Sequence, residues 1–261
     1  MKQKKNLIAF LGLIIILQSF LIIYLLAARP KKPVSISLPP IKVKGKIAIV
    51  IDDWGYRKDT LDIASRIKYP MTMSVLPNLD FSVLASQKLH DMGFEIILHL
   101  PMEPYEKYRL EKNTILCSME DAQIKNILND DLAGIKFCKG LSNHMGSKLT
   151  SDTRVMKVIF SELKKKKLYF FDSYVSSDSV ARGLAEKMGI KSARRDVFLD
   201  NESSPRYIRI QINKLKNKAR IHGHAIGVGH DRKSTLEVLA EVMPELSKEG
   251  YKFVYLSELV E

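Results

Sequence analysis

Two adjacent carboxylates, Asp52 and Asp53, close the apolar run IAIVI, with Gly55 close behind. A chain that turns there can bring both to one site with different tasks: one holds a metal, the other stays free to activate water. A lone Asp pair also caps helices, so the pair needs partners. His99 lies in the apolar run EIILHL and is followed by Glu103, between Pro101 and Pro104. Core packing explains His99 by itself; a metal site, a substrate contact or loop exposure explains Glu103. Asn143 and His144 stand in the polar turn SNHMGS, and His230 ends AIGVGH. Imidazoles at such places suit ligation or proton transfer near neutral pH. His222, His224 and His90 fall elsewhere and read as structural or surface groups. Together two His and two Asp converge, with a third His opposite. Oxygen and nitrogen donors of this kind suit zinc or a similar divalent ion with an open position for water.

Short β-rich runs must carry these residues. The expected strands are 47–52, 71–76, 95–100, 136–142, 168–173, 197–199, 225–230 and 252–257, separated by amphipathic helical patterns. Helix starts are expected at a Ser118-x-x-Asp121 capping box, at Thr150 or Ser151, at Ser204-Pro205, and at Ser234 or Thr235. Gly93, Gly189 and Gly250 fit helix ends, and Pro244 implies a kink or an early break. Alternation alone permits an open sheet or a barrel. Asp52, His99, Asn143, Asp172, Asp200 and His230 all fall at or just past strand ends, and chemistry at nearly every carboxyl end is the barrel pattern. The expectation is an α/β domain over 46–261, an irregular or incomplete (β/α) barrel of seven to eight strands.

The chain has 261 residues and a net charge of +13. Eight of its 42 Lys/Arg lie in residues 1–45, which hold no acid; the other 34 face all 29 acids. The basic excess therefore belongs mostly to the flanks of an apolar segment. The run Lys164–Lys167 closes a helix, where cations suit the dipole. No aromatic interleaving accompanies it, so nucleic acid is not expected as a partner. Two cysteines exclude a disulfide scaffold and a Cys-rich zinc site; Cys117 and Cys138 could pair if exported, and two free thiols are the plainer reading. Residues 7–28 carry no charge and as a helix would span roughly 33 Å, enough for a bilayer core. That length favours an uncleaved anchor over a signal peptide. Lys2, Lys4 and Lys5 in segment 1–6 nearly balance Arg29, Lys31 and Lys32, and a short leading segment tips it to the cytoplasmic side. Residues 29–45, rich in Pro and Lys, read as a stiff spacer.

With these residues in view, VIDDWG (50–55) resembles the Asp-Asp motif of the polysaccharide deacetylase, or NodB-homology, family of carbohydrate esterase 4-like proteins. GFEIILHLPME (93–103) resembles its metal-histidine strand, and residues 223–259 resemble its closing unit. The ordered set IDD, HLPMEP, NHMGS, FFDS and GH is most similar to the divergent polysaccharide deacetylase branch. The resemblance covers about residues 46–261 and implies a NodB-like barrel. It implies Asp52 as catalytic base, Asp53 as metal carboxylate, His99 as first metal histidine and His230 as general acid. The second metal histidine normally falls four residues after the first, where this chain has Glu103. Either Glu103 ligates or His144 supplies the imidazole; His144 is preferred because a neutral nitrogen better preserves a Lewis-acidic metal. SNHMGS replaces an Arg-containing motif, and Asp172-Ser173-Tyr174 stands where Asp-x-Asp-x-Trp is usual.

The expected activity is removal of N-acetyl or related acyl groups from an envelope polysaccharide, with Zn²⁺ at Asp53, His99 and His144. Asn143 and Asp172 are expected to position substrate. Residues 7–28 are expected to anchor the domain on the extracytoplasmic face of a bacterial membrane. The alternative is an inactive barrel that binds glycan or a protein.

Overall fold

A computed structural model describes residues 2–27 and 43–261. The expected spacer therefore lies outside the described residues except for its last three. The chain forms two separate units, divided after Pro40. In the first, α1 runs Lys2–Ala27, and its apolar side chains from Ile8 to Leu26 are exposed on every face. A helix that is apolar all round needs a non-aqueous surrounding. Its length and composition fit a membrane span, and a signal sequence has the same form.

The second unit begins with β1 (Gly45–Trp54), α2 (Leu61–Ala64), β2 (Thr72–Val75), α3 (Ser82–Asp91) and β3 (Glu95–Met102). Next come α4 (Asp121–Gly134), β4 (Cys138–Met145), α5 (Thr153–Lys166), β5 (Tyr169–Asp172), α6 (Ala181–Met188) and β6 (Ser192–Arg194). It closes with β7 (Val197–Phe198), α7 (Pro205–His222), β8 (His224–His230), α8 (Lys233–Lys248) and β9 (Tyr251–Val254). All pairings are parallel, in the order β6-β5-β4-β3-β2-β1-β8-β7, with β9 beside the first half of β1. Among the described residues no pairing joins β6 to β7, so the curled sheet is an incomplete barrel.

Strand alternation divides the core in two. One set, including Ile47, Ile49 and Ile51 of β1, packs under the helices. The other contains Ala48, Val50, Ile97, Tyr169, Phe171, Ile226 and Val228, draws on no α-helix among the described residues, and fills the inside of the curl. Continuing that inner parity along each strand leads to Asp52, His99, His144 and His230 at the carboxyl ends.

The sheet has nine strands, not seven or eight. The extra one, β6, is three residues between Lys191 and Arg195, too short to alternate visibly. Ser204 caps α7 with Pro205 next, as expected. Elsewhere the caps differ. Glu120, paired with Gln123, caps α4 instead of Ser118. Asp152 caps α5, because Leu149–Ser151 form a separate 3-10 turn. Arg232 precedes α8. That helix runs through Pro244 without ending, since its buried residues lie on both sides: Leu239 and Val242 before, Leu246 after.

Gly140 marks a tight approach inside the curl. A Cβ there would stand 2.5 Å from the Tyr169 ring, whose hydroxyl is tied to Glu95 Oε1 at 2.9 Å. Gly140→Ala should therefore destabilise the domain by about 1–3 kcal/mol. A thermal melt should show a midpoint lowered by roughly 2–12 °C; an unchanged midpoint would mean the ring yields freely.

Candidate functional site

Asp52, His99 and His230 follow from strand parity; His144 lies beyond a register shift of β4 against β3, and Asp53 requires a second backbone irregularity. Asp52, His99 and His144 lie on the inner face. Asp53 is out of parity. Between Ile51 and Trp54, β1 spends one residue more than β2, pairing Ile51 with Met73 but Trp54 with Val75. Such a bulge re-aims a side chain. Asp53 takes it up at φ +68°, a left-handed conformation that aspartate tolerates better than most residues. Gly55, at φ +125°, then turns the chain away.

The result is a compact cluster. Asp53 Oδ1 lies 3.3 Å from His99 Nε2 and 3.1 Å from His144 Nδ1. One donor atom from each of Asp53, His99 and His144 falls within 4.8 Å of the others. Asp52 Oδ1 is 3.7 Å from His99 Nδ1, and His230 Nε2 is 4.0 Å from Asp53 Oδ2. Two observations fit a cation: the donor set is one carboxylate with two imidazoles, and His144 Nε2 is buried without a hydrogen-bond partner. Asp52 Oδ1 is likewise buried and unpaired.

The adjacent carboxylates are driven in opposite directions. Burial dominates at Asp52 and raises its pKa; Asp53 adds to this, while His99, His230 and the Ser74 hydroxyl oppose it. Burial would also raise Asp53, but hydrogen bonds and charge from His144 and His99 hold it well below the ordinary range. At His230 burial disfavours the imidazolium. The Asp200 hydrogen bond and the charges of Asp200, Asp53 and Asp52 outweigh it and raise the pKa.

Glu103 is not part of the cluster. Its Oε1 accepts from Lys148 Nζ at 2.7 Å and its Oε2 from the Cys117 N–H at 2.6 Å, tying down the loop after β3. Lying in β3 continued by a Met102–Ile115 bridge, the segment does not turn back as a helix would to bring residue 103 over residue 99. Asn143 and Asp172 lie on the outer parity of β4 and β5. Asn143 bridges the Met145 carbonyl and the Ser173 N–H, and Asp172 accepts from the Tyr174 N–H and Ser179. Neither hydrogen-bonds a clustered residue among those described. His222 and His224 lie exposed at the opposite end of β8, and both cysteines are free.

Sequence reasoning gave no role to Asp200, fully buried beside β8. Its Oδ1 meets His230 Nδ1 at 2.9 Å; its Oδ2 accepts from the His230 N–H and Thr235. Its place after a short strand was the available signal. Arg195, also missed, spans the Ser173 and Tyr174 carbonyls and stacks on Phe198. Ser142 and Ser74, beneath His99, carried no signal.

Residues 49–260 match the family model of the divergent polysaccharide deacetylases, and the chain belongs to that family. It is 35% identical over 202 residues to the uncharacterized protein YibQ of Escherichia coli K12, covering 77% of this chain and 63% of YibQ. A second uncharacterized relative, from Haemophilus influenzae, is 31% identical over 196 residues, 75% of this chain and 70% of that one. An uncharacterized protein of Agrobacterium tumefaciens C58 shares the fold at a TM-score of 0.79 with 23% identity, over 89% of this chain and 93% of that chain. A CE4 family pseudoenzyme from Bacillus anthracis superimposes at 0.51 with 15% identity, over 84% and 66%.

The His230–Asp200 pair makes a prediction. His230 is raised from 6.5 and Asp200 lowered from 3.8, so the pair contributes stability in full between those values. The contribution fades as pH rises through the folded His230 pKa or falls through that of Asp200. In Asp200→Asn, the His230 midpoint followed by NMR should fall, and stability should lose most between pH 4 and 6.5. An unmoved midpoint would refute the pairing.

Proposed function

We propose that this chain is a membrane-anchored, metal-dependent hydrolase that removes N-acetyl or related acyl groups from a cell-envelope polysaccharide. One observation carries the reading: Asp53, His99 and His144 offer donor atoms within 4.8 Å of one another, beside Asp52, whose Oδ1 is buried and unpaired. Asp53, His99 and His144 would hold the cation, for which zinc suits the donors. Such an ion supplies a Lewis acid for the acyl carbonyl oxygen and makes a water easier to deprotonate. Asp52 takes the proton from the attacking water, a task that its raised pKa favours. His230, whose pKa the hydrogen bond to Asp200 raises, delivers a proton to the departing amine or alcohol. Asn143, Asp172 and Arg195 shape the Ser173–Tyr174 turn, so substrate is positioned through that turn rather than by their own side chains. Residues 7–28 hold the domain on the extracytoplasmic side, where envelope glycan is found.

A second reading is a barrel that binds glycan or a protein partner without turnover. The replaced SNHMGS and Asp172-Ser173-Tyr174 motifs favour it, and the CE4-like fold does occur in a pseudoenzyme. The His230–Asp200 hydrogen bond, with His230 in register beside Asp52, argues for chemistry.

Full-length protein in detergent should release acetate from an N-acetylated envelope glycan, stop on chelation and resume with zinc. Asp52→Asn should lower the rate by about 10²–10⁴-fold, and Asp53→Ala should remove the bound metal on elemental analysis. Full activity in Asp52→Asn would overturn the assigned base. Metal and glycan binding without acyl release across N- and O-acetylated polymers would select the second reading.

A further inference from the structure

A histidine that holds a metal through one ring nitrogen usually donates its other N–H to a carboxylate, a carbonyl or water, which sets tautomer and orientation. At His99 the adjacent carboxylate does not do this. Asp52 Oδ1 is 3.7 Å from Nδ1, beyond hydrogen-bonding distance, whereas Ser142 Oγ is at 2.7 Å. Ser142 is the β4 residue in register with His99, and its Oγ is 2.6 Å from Ser74 Oγ of β2. Both serines are fully buried, and the Ser142 hydroxyl has no third hydrogen-bond partner among the described residues.

We infer that Ser142, backed by Ser74, is the positioning residue that holds His99 with its proton on Nδ1 and its Nε2 lone pair facing Asp53. The inference rests on the metal-holding role proposed above. A neutral imidazole has one ring proton. If Nε2 is to bind a cation, Nδ1 must carry that proton and donate it to Ser142. The Ser142 hydroxyl then has its own proton left for Ser74 Oγ. The donors run in one direction, from ring to serine to serine. Two neutral hydroxyls thus do what a carboxylate does in many metal sites, and Asp52 stays free of the ring to accept a proton from water.

The test uses full-length protein in detergent, titrated with Co²⁺ and followed by its visible absorption. Ser142→Ala should weaken Co²⁺ binding by about 10–100-fold. Ser142→Thr, which keeps the hydroxyl on a strand, should stay within about threefold of wild type on the same scale. In the zinc-loaded protein, nitrogen-15 histidine spectra should place the His99 proton on Nδ1 in wild type and in Ser142→Thr. Should Ser142→Ala fail to fold, Ser74→Ala supplies the second arm, with a smaller loss of affinity than the alanine at 142. Wild type binding Co²⁺ while Ser142→Ala, or Ser74→Ala in its place, binds equally well would overturn the relay alone. A His99 proton found on Nε2 would do the same. Wild type taking up no Co²⁺ would overturn the metal reading and the relay with it.

Discussion

The arrangement depends on one surplus residue in β1. In a regular strand Asp52 and Asp53 would face opposite sides of the sheet, one into the curl and one towards the helices. The bulge against β2 and the left-handed Asp53 turn both carboxylates to the same end of the barrel. A left-handed non-glycine residue costs free energy, about 1 kcal/mol or more. The cost is offset where Asp53 is received by two imidazoles and where Gly55 takes the chain out of the site. Ordinary alternation delivers Asp52, His99 and His230, whereas β4 spends an extra residue of its own against β3 before it reaches His144.

From that bend follows the electrostatic division of labour. Asp53 faces two imidazoles and is held ionised, whereas Asp52 is buried deeper with an oxygen unpaired, and its proton affinity rises. Neighbours in the chain thus acquire opposite tendencies because their surroundings differ, a pattern that separates a ligand from a base. His230 completes the contrast: burial disfavours its charged form, and a carboxylate reaching over from the end of β7 outweighs that and raises its pKa. Loop residues act as struts around this set. Glu103 clamps Lys148 to the Cys117 backbone, and Arg195 fastens the turn after β5.

Much of this was legible in one dimension. Short β-rich runs outlined eight strands, and polar residues at their ends pointed to a barrel loaded at one mouth. His99 and His230 could be placed because each ends a recognisable strand, and the motif resemblance ordered them. His144 was preferred to Glu103 on the chemistry of its nitrogen and not on its place, since both fall past the ends of the expected strands. Local propensity also misplaced three caps. At α5, for example, the 3-10 turn shifts the helix start to Asp152, a choice made by how the preceding turn packs. β6 went unseen because three residues acquire strand identity only by pairing with β5.

The sequence by itself determined alternation: which residues share a face, which runs are strands, and that a charge-free segment of membrane-spanning length precedes the domain. Alternation is a property of neighbours along the chain, so neighbours suffice to reveal it. Only the tertiary structure decided that Asp53 turns inward, that Asp200 meets His230, and that Ser142 lies against His99. Those meetings depend on register between strands and on the curl of the sheet, and each is set by packing between residues dozens of positions apart.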